Sequence, residues 1–98
     1  MLEIGFDSNG DIKLAGRFDA SQAQTATHFL DAVHQPSVVD LQGLEYISSA
    51  GLGVLLATQK RLVDGGGSGL RLVRLNNHVA DVFRIAGLQK VFEIEYDD

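Results

Sequence analysis

The sequence predicts an α/β fold in which a mixed, mostly parallel sheet carries helices packed against it. Three observations carry that expectation. Short segments of period-two alternation are interleaved with segments of helical period. An Asn-Gly pair, a strong hairpin signal, stands between the first two alternating segments. Proline, asparagine or a glycine run marks the later junctions. The resulting order is β-β-α-β-α-β-α-β, one opening hairpin followed by three strand–helix–strand units. Right-handed crossovers would set the helices on one or both faces of the sheet.

Taken in order, Leu2, Ile4 and Phe6 alternate with polar or small residues and read as a first strand. Asn9-Gly10 turns the chain, and Ile12, Leu14 and Gly16 continue on an antiparallel second strand. Asp19 or Ser21 can cap the next segment, and Asp19 with Gln22 three residues later resembles a capping box. Ala23, Ala26, Phe29, Leu30 and Val33 then recur at helical spacing, and Pro36 is expected to end that helix. Val38-Val39-Asp40-Leu41 reads as a buried strand. A brief polar turn and Leu44-Glu45-Tyr46-Ile47 are expected to follow it.

A second helix begins near Ser49, with Leu52, Leu55, Leu56, Gln59 and Leu62 at helical intervals. The glycine run at 65–67 and Gly69 connects it to a strand at 70–75. Asn76 or Asn77 can cap a third helix striped by Val79, Val82, Phe83 and Ala86, with Gly87 as its stop. Val91 through Tyr96 reads as the last strand, and Asp97-Asp98 as a charged end.

Composition narrows the functional classes. The length of 98 residues suits one domain over 1–98, and 45% hydrophobic with 21% charged residues is ordinary for a globular chain. Without cysteine there is no disulfide or thiolate chemistry, and a cytoplasmic location is expected. No apolar run approaches the ~20 residues that span a bilayer, and Met1-Leu2-Glu3-Ile4 lacks the blocks of a signal peptide. A net charge of −5 with scattered basic residues argues against nucleic acid as a partner.

No constellation for catalysis emerges. His28 and His34 fall on different helix faces and His78 stands apart, so no metal site is expected. The glycine run follows a helix, whereas phosphate-binding loops lie between a strand and a helix. The Gly-x-Ser-x-Gly pattern is absent. No cofactor is expected, and Glu93 and Glu95 read as solvated.

That leaves Ser48-Ser49-Ala50-Gly51-Leu52-Gly53, running unbroken from a strand into a helix. A helix start concentrates unpaired N–H groups and partial positive charge. A serine there is either a plain N-cap or a site that carries charge on and off, and two hydroxyls are present where a cap needs one. Ala50, Gly51 and Gly53 should leave the first turn bare for close approach. Leu52 or Val54 should offer an apolar contact beside it.

The stretch from Val39-Asp40-Leu41 through Leu44, Tyr46-Ile47-Ser48-Ser49-Ala50-Gly51-Leu52-Gly53 to Val54-Leu55-Leu56 resembles the signature of STAS domains. It is most similar to the bacterial anti-sigma factor antagonists. Leu14-Ala15-Gly16-Arg17-Phe18-Asp19 and the segment from Leu70 to Leu88 extend the resemblance over nearly the whole chain.

The resemblance implies a protein-binding switch, not an enzyme. The unphosphorylated form would capture an anti-sigma factor that is also a serine kinase of the histidine-kinase-like ATPase fold. Phosphorylation would release it, and a metal-dependent serine phosphatase would reset it. By motif position the acceptor is Ser49, with Ser48 as rival. The partner-binding set is Asp19, Ser48, Ser49, Ala50, Gly51, Leu52 and Gly53. The chain departs from the pattern at Ser48, where many members have aspartate, and at Ala50, where many have a second hydroxyl. It also ends after the last strand, where many relatives continue into a fourth helix. A monomer or weak dimer is expected. Two further readings share the fold: a STAS subunit packed on the ATPase of an ABC-type lipid transporter, and a scaffold subunit of a signalling assembly.

Overall fold

A computed structural model describes residues 1–96; the expected charged end, Asp97-Asp98, lies outside them. Five strands form one sheet in the order β1-β2-β3-β4-β5. They are β1 (Leu2–Phe6), β2 (Ile12–Phe18), β3 (Ser37–Ile47), β4 (Leu70–Leu75) and β5 (Glu93–Tyr96). The β1–β2 pair is antiparallel and the other three pairs are parallel. The helices are α1 (Ala23–Asp31), α2 (Ser49–Asp64) and α3 (Asn77–Ile85), with a 3-10 turn at Ala20–Gln22 before α1.

A sheet whose parallel strands follow one another in sequence order, joined by right-handed crossovers, gathers its helices on one face. The register agrees. Ile12, Val39, Leu72 and Ile94 align across four strands, and the first three are fully buried. The next row is Lys13, Asp40, Val73 and Glu95, which belongs to the opposite, largely polar face. The core lies between the sheet and the helices. It includes Leu14, Phe18, Leu30, Leu41, Leu44, Leu55, Leu75 and Phe83.

The hairpin forms where Asn9-Gly10 foretells it. Asp7 Oδ1 accepts from the amides of Asn9 at 2.8 Å and Asp11 at 3.1 Å, closing the loop between Phe6 and Ile12. The expected turn after Leu41 does not form. Residues 37–47 make one continuous strand, and the extra residues are absorbed as register breaks against β2. Gly43 sits at the first break, where a Cβ would lie 2.9 Å from that of Ala15.

Several expected boundaries and faces shift. Pro36 does not end α1; the helix stops at Asp31. A tightened turn then carries Val33 N–H to the Leu30 carbonyl at 2.9 Å and seats Val33 in the core. Leu56 turns outward on α2, while Thr58 takes an inward place instead. Gln59 is also buried. Its Oε1 accepts from Leu70 N–H at 2.6 Å and its Nε2 donates to the Val91 carbonyl at 3.0 Å.

On α3 the buried stripe is Val79, Ala80 and Phe83, and Ala86 is exposed. Gly87, with φ of 75°, ends the helix as expected. Leu88 N–H reaches the Phe83 carbonyl at 2.9 Å and Gly87 N–H the Arg84 carbonyl at 3.0 Å, a Schellman motif. Phe92 precedes β5 and packs edge-on against Phe83, with ring centroids 5.8 Å apart.

Candidate functional site

The C-terminal ends of β2, β3 and β4 open into three helix-capping turns. These are Asp19 before the 3-10 turn, Ser48 before α2, and Asn76 before α3. Such strand ends are where open α/β sheets commonly present their functional loops. The Ser48 N–H donates to the Phe18 carbonyl at 2.9 Å, which ties the start of α2 to the residue before Asp19.

The two serines take different positions. Ser48 is the N-cap, with extended backbone (φ −89°, ψ 173°), and its Oγ accepts from Gly51 N–H at 3.2 Å. Ser49 is the first helical residue. Its side chain is exposed and makes no hydrogen bond among the described residues. The difference follows from helix phase: the cap residue folds its oxygen back over the first turn, and the next residue projects away from it. Ser48→Ala should therefore lower stability by about 1 kcal/mol, read as a shifted denaturation midpoint, while Ser48→Asn should cost little.

The rest of the motif divides between packing and surface. Ala50 is half-buried and Gly53 is exposed, with open space where a Cβ would stand. Gly51 is buried, contrary to the expectation that it keeps the turn bare, and of the two apolar candidates beside that turn Leu52 is the buried one. A Cβ on Gly51 would stand 2.9 Å from Ile47 Cγ1, 2.9 Å from the Phe18 carbonyl oxygen and 3.0 Å from Phe18 Cγ. Gly51 is therefore what lets the first turn of α2 lie on the ends of β2 and β3. Val54, half-buried, is the apolar side chain nearer the surface.

Asp19 makes the capping box expected of it. Its Oδ1 accepts from Ser21 N–H at 3.0 Å and from Ser21 Oγ at 2.6 Å, and Gln22 Oε1 accepts from Asp19 N–H at 3.0 Å. The Ser21 hydroxyl, followed by the Ser21 amide, holds the Asp19 carboxyl below the usual carboxylate range. It is an ionised group at neutral pH on the turn next to α2.

Two features of this edge were not read from the sequence. The Arg17 guanidinium lies 4.4 Å from the Tyr46 ring centroid, bracing the ends of β2 and β3 by a cation–π contact. Asn76 bonds in two directions: Oδ1 accepts from Val79 N–H, and Nδ2 donates to the Leu44 carbonyl, both at 2.9 Å. Asn76 is expected as a cap, but its reach to β3 depends on strand register, which a linear pattern does not carry.

Elsewhere, His28 on α1, His34 in the connection after α1 and His78 on α3 are each exposed. Among the described residues no group of His, Cys, Asp and Glu is placed to hold a metal ion. No described helix is long and apolar enough to cross a membrane.

Comparison with known proteins gives a consistent outcome. Residues 4–94 match the family described as "Mlab, STAS domain". A putative anti-sigma factor antagonist, BtrV of Bordetella bronchiseptica, is 46% identical over 57 residues, which is 58% of this chain. The match spans 48% of that relative's length. Among solved structures, an anti-sigma factor antagonist from Mycobacterium paratuberculosis superposes with a TM-score of 0.80 at 23% identity, covering 97% of this chain and 84% of that one. The phosphorylated form of the Bacillus cell fate determinant SpoIIAA superposes with a TM-score of 0.71 at 13% identity, covering 100% and 92%. At these identities the two structures speak to the fold.

Proposed function

The chain belongs to the STAS domain family, and from that premise we propose that it is a phosphorylation-controlled switch of the anti-sigma factor antagonist type. The observation that carries the reading is the exposed, unbonded hydroxyl of Ser49 beside a Ser48 already engaged as the helix cap. The resemblance to proteins named anti-sigma factor antagonists supports the choice of partner. A structural neighbour that exists in a phosphorylated form supports the switch. In this reading the unmodified chain binds an anti-sigma factor that is also a serine kinase of the histidine-kinase-like ATPase fold, and so frees that partner's client. The kinase phosphorylates Ser49 and is released. A metal-dependent serine phosphatase restores the hydroxyl. The chain acts in the cytoplasm, as a monomer or weak dimer, and is a substrate rather than a catalyst.

The physical chemistry of the switch is local. A phosphate adds about −1.5 to −2 charges at neutral pH. The amino end of α2 tolerates that charge, because its dipole and unpaired amides favour an anion. A docked partner does not, since its surface must desolvate the dianion. An unpaired charge buried at an interface costs a few kcal/mol, and each 1.4 kcal/mol is tenfold in affinity. The fold need not rearrange. ATP, magnesium and the catalytic groups belong to the kinase.

Incubation with the cognate kinase and ATP, followed by mapping of the phosphate by mass spectrometry, tests the assignment. The expected result is a single phosphate on Ser49. A phosphate on Ser48 alone, or none from a demonstrably active kinase, overturns it. Co-purification with a transporter ATPase would replace the reading with that of a transporter subunit, and large particles on sizing would replace it with a scaffold.

A further inference from the structure

We propose that Asn76 and Arg74, at the exit of β4, are positioning residues that hold the free end of β3 and thereby set the geometry of Ser48 and Ser49. The inference rests on the reading of Ser49 as the modified residue for its functional consequence, and on the sheet alone for its structural one.

The β3–β4 ladder is short. It pairs Ser37–Asp40 with Leu70–Val73 and stops there. β3 nevertheless continues through Leu41–Ile47 and delivers the chain directly into the Ser48 cap. Along this overhang the β2 side keeps its ladder, but with register breaks between Lys13 and Ala15 and between Gly16 and Arg17. The buried Leu41, Leu44 and Ile47 fix which face of this stretch points inward, but its edge toward β4 has no ladder pairs, so the polar backbone groups there need other partners.

Two side chains from β4 and its exit stand at the end of the second ladder and beyond it. The Arg74 guanidinium pairs with the Asp40 carboxylate at the last laddered residue. Asp40 Oδ1 also accepts from the Gln42 amide at 2.9 Å, just where the first break begins. Its carboxylate is 8% exposed. Burial alone would push the Asp40 carboxyl up, but the bonds from Arg74 and the Gln42 amide outweigh burial and hold it below the usual range. Further along, Asn76 Nδ2 donates to the Leu44 carbonyl at 2.9 Å, between the two breaks.

The backbone at Arg74 supports the same assignment. Its φ of 58° makes it the one non-glycine residue with positive φ among those described. Side chains rarely adopt that conformation, and it persists where surroundings over-determine it. It coincides with the register break between Val73 and Leu75 against β5. The strand exit is thus bent at Arg74, with one side chain before the bend's end gripping Asp40 and another after it gripping Leu44. Because the same Asn76 caps α3 through Val79, the start of α3 and the approach to Ser49 share one residue.

The two duties of Asn76 can be separated. Asn, Asp and Ser are comparable as N-caps. Asn76→Asp keeps the capping oxygen and deletes the donor to Leu44. Asn76→Ser keeps a cap and is too short to reach β3. Hydrogen exchange on the full chain should show amides of residues 44–51 exchanging at least about tenfold faster in both variants. Exchange in the β1–β2 hairpin should be little changed, and the denaturation midpoint should fall modestly in both variants because the Leu44 carbonyl loses its donor. Unaltered exchange at 44–51, or acceleration spread evenly over the sheet, would overturn the proposal. With an active kinase, the Ser49 phosphorylation rate should fall in the same variants. If exchange accelerates as expected but the unsubstituted chain takes no phosphate, the positioning role holds and the Ser49 reading fails.

Discussion

Ser49→Asp is expected to weaken binding to the kinase at least about a hundredfold, close to 3 kcal/mol, while Ser49→Ala binds as tightly as the unmodified chain. Both variants should fold. Ser49 is exposed, and its side chain bonds to nothing among the described residues, so its removal leaves no group unsatisfied. An aspartate in the first turn is favourable to the helix by a few tenths of a kcal/mol. The difference must therefore arise at the interface. Calorimetric titration of each variant against the purified kinase measures it, with thermal unfolding alongside. Equal affinities would remove the electrostatic block from the mechanism. A large loss of stability in Ser49→Asp would move the effect from the interface to the fold.

Gly51→Val should destabilise the fold by about 3 kcal/mol, the upper end of ordinary overpacking costs. For a chain of this size that is a fall of roughly 12–24 °C in melting temperature. The reason is the choice of neighbours. Two of the three atoms nearest an added Cβ are the carbonyl oxygen and ring carbon of Phe18, a fully buried residue, and the third belongs to buried Ile47. None is the far end of a flexible side chain. The first turn of α2 would have to lift away from the β2 and β3 ends, taking Ser48 and its bond to Phe18 with it. Gly53→Ala is the control. Its Cβ would meet open space, and alanine suits a helix interior better by up to about 1 kcal/mol. A Gly51→Val variant as stable as Gly53→Ala would show that the first turn has room to shift.

These two glycines mark the limit of what the linear pattern carries. Both stand in one motif, two residues apart, and both read as openings for a partner. Helix phase turns one against Phe18 and the other to solvent. Leu56 is a similar case. It fits a helical stripe by spacing, yet it lies on the edge of the buried arc and stays 38% exposed. Gln42-Gly43 has the composition of a turn, but continued pairing with β2 draws it into a bulged strand. Each difference arises because spacing defines a helix face only to within a residue, and because strand pairing overrides local turn preference.

The serine pair shows both contributions together. Local chemistry already determined that a helix begins there, that one hydroxyl suffices to cap it, and that the surrounding elements alternate as strand and helix. The Asn9-Gly10 hairpin, the Asp19–Gln22 capping box and the Gly87 stop were legible for the same reason: each depends on residues within a few positions of one another. At which of the two serines the helix starts, and so which one caps and which stands free, was decided by the tertiary structure. The Phe18 carbonyl receives the Ser48 amide, Gly51 lets α2 settle on the strand ends, and Asn76 reaches across from β4 to steady the approach. Those contacts join residues about 30 apart in the chain. They exist only once the parallel strands have fixed their register.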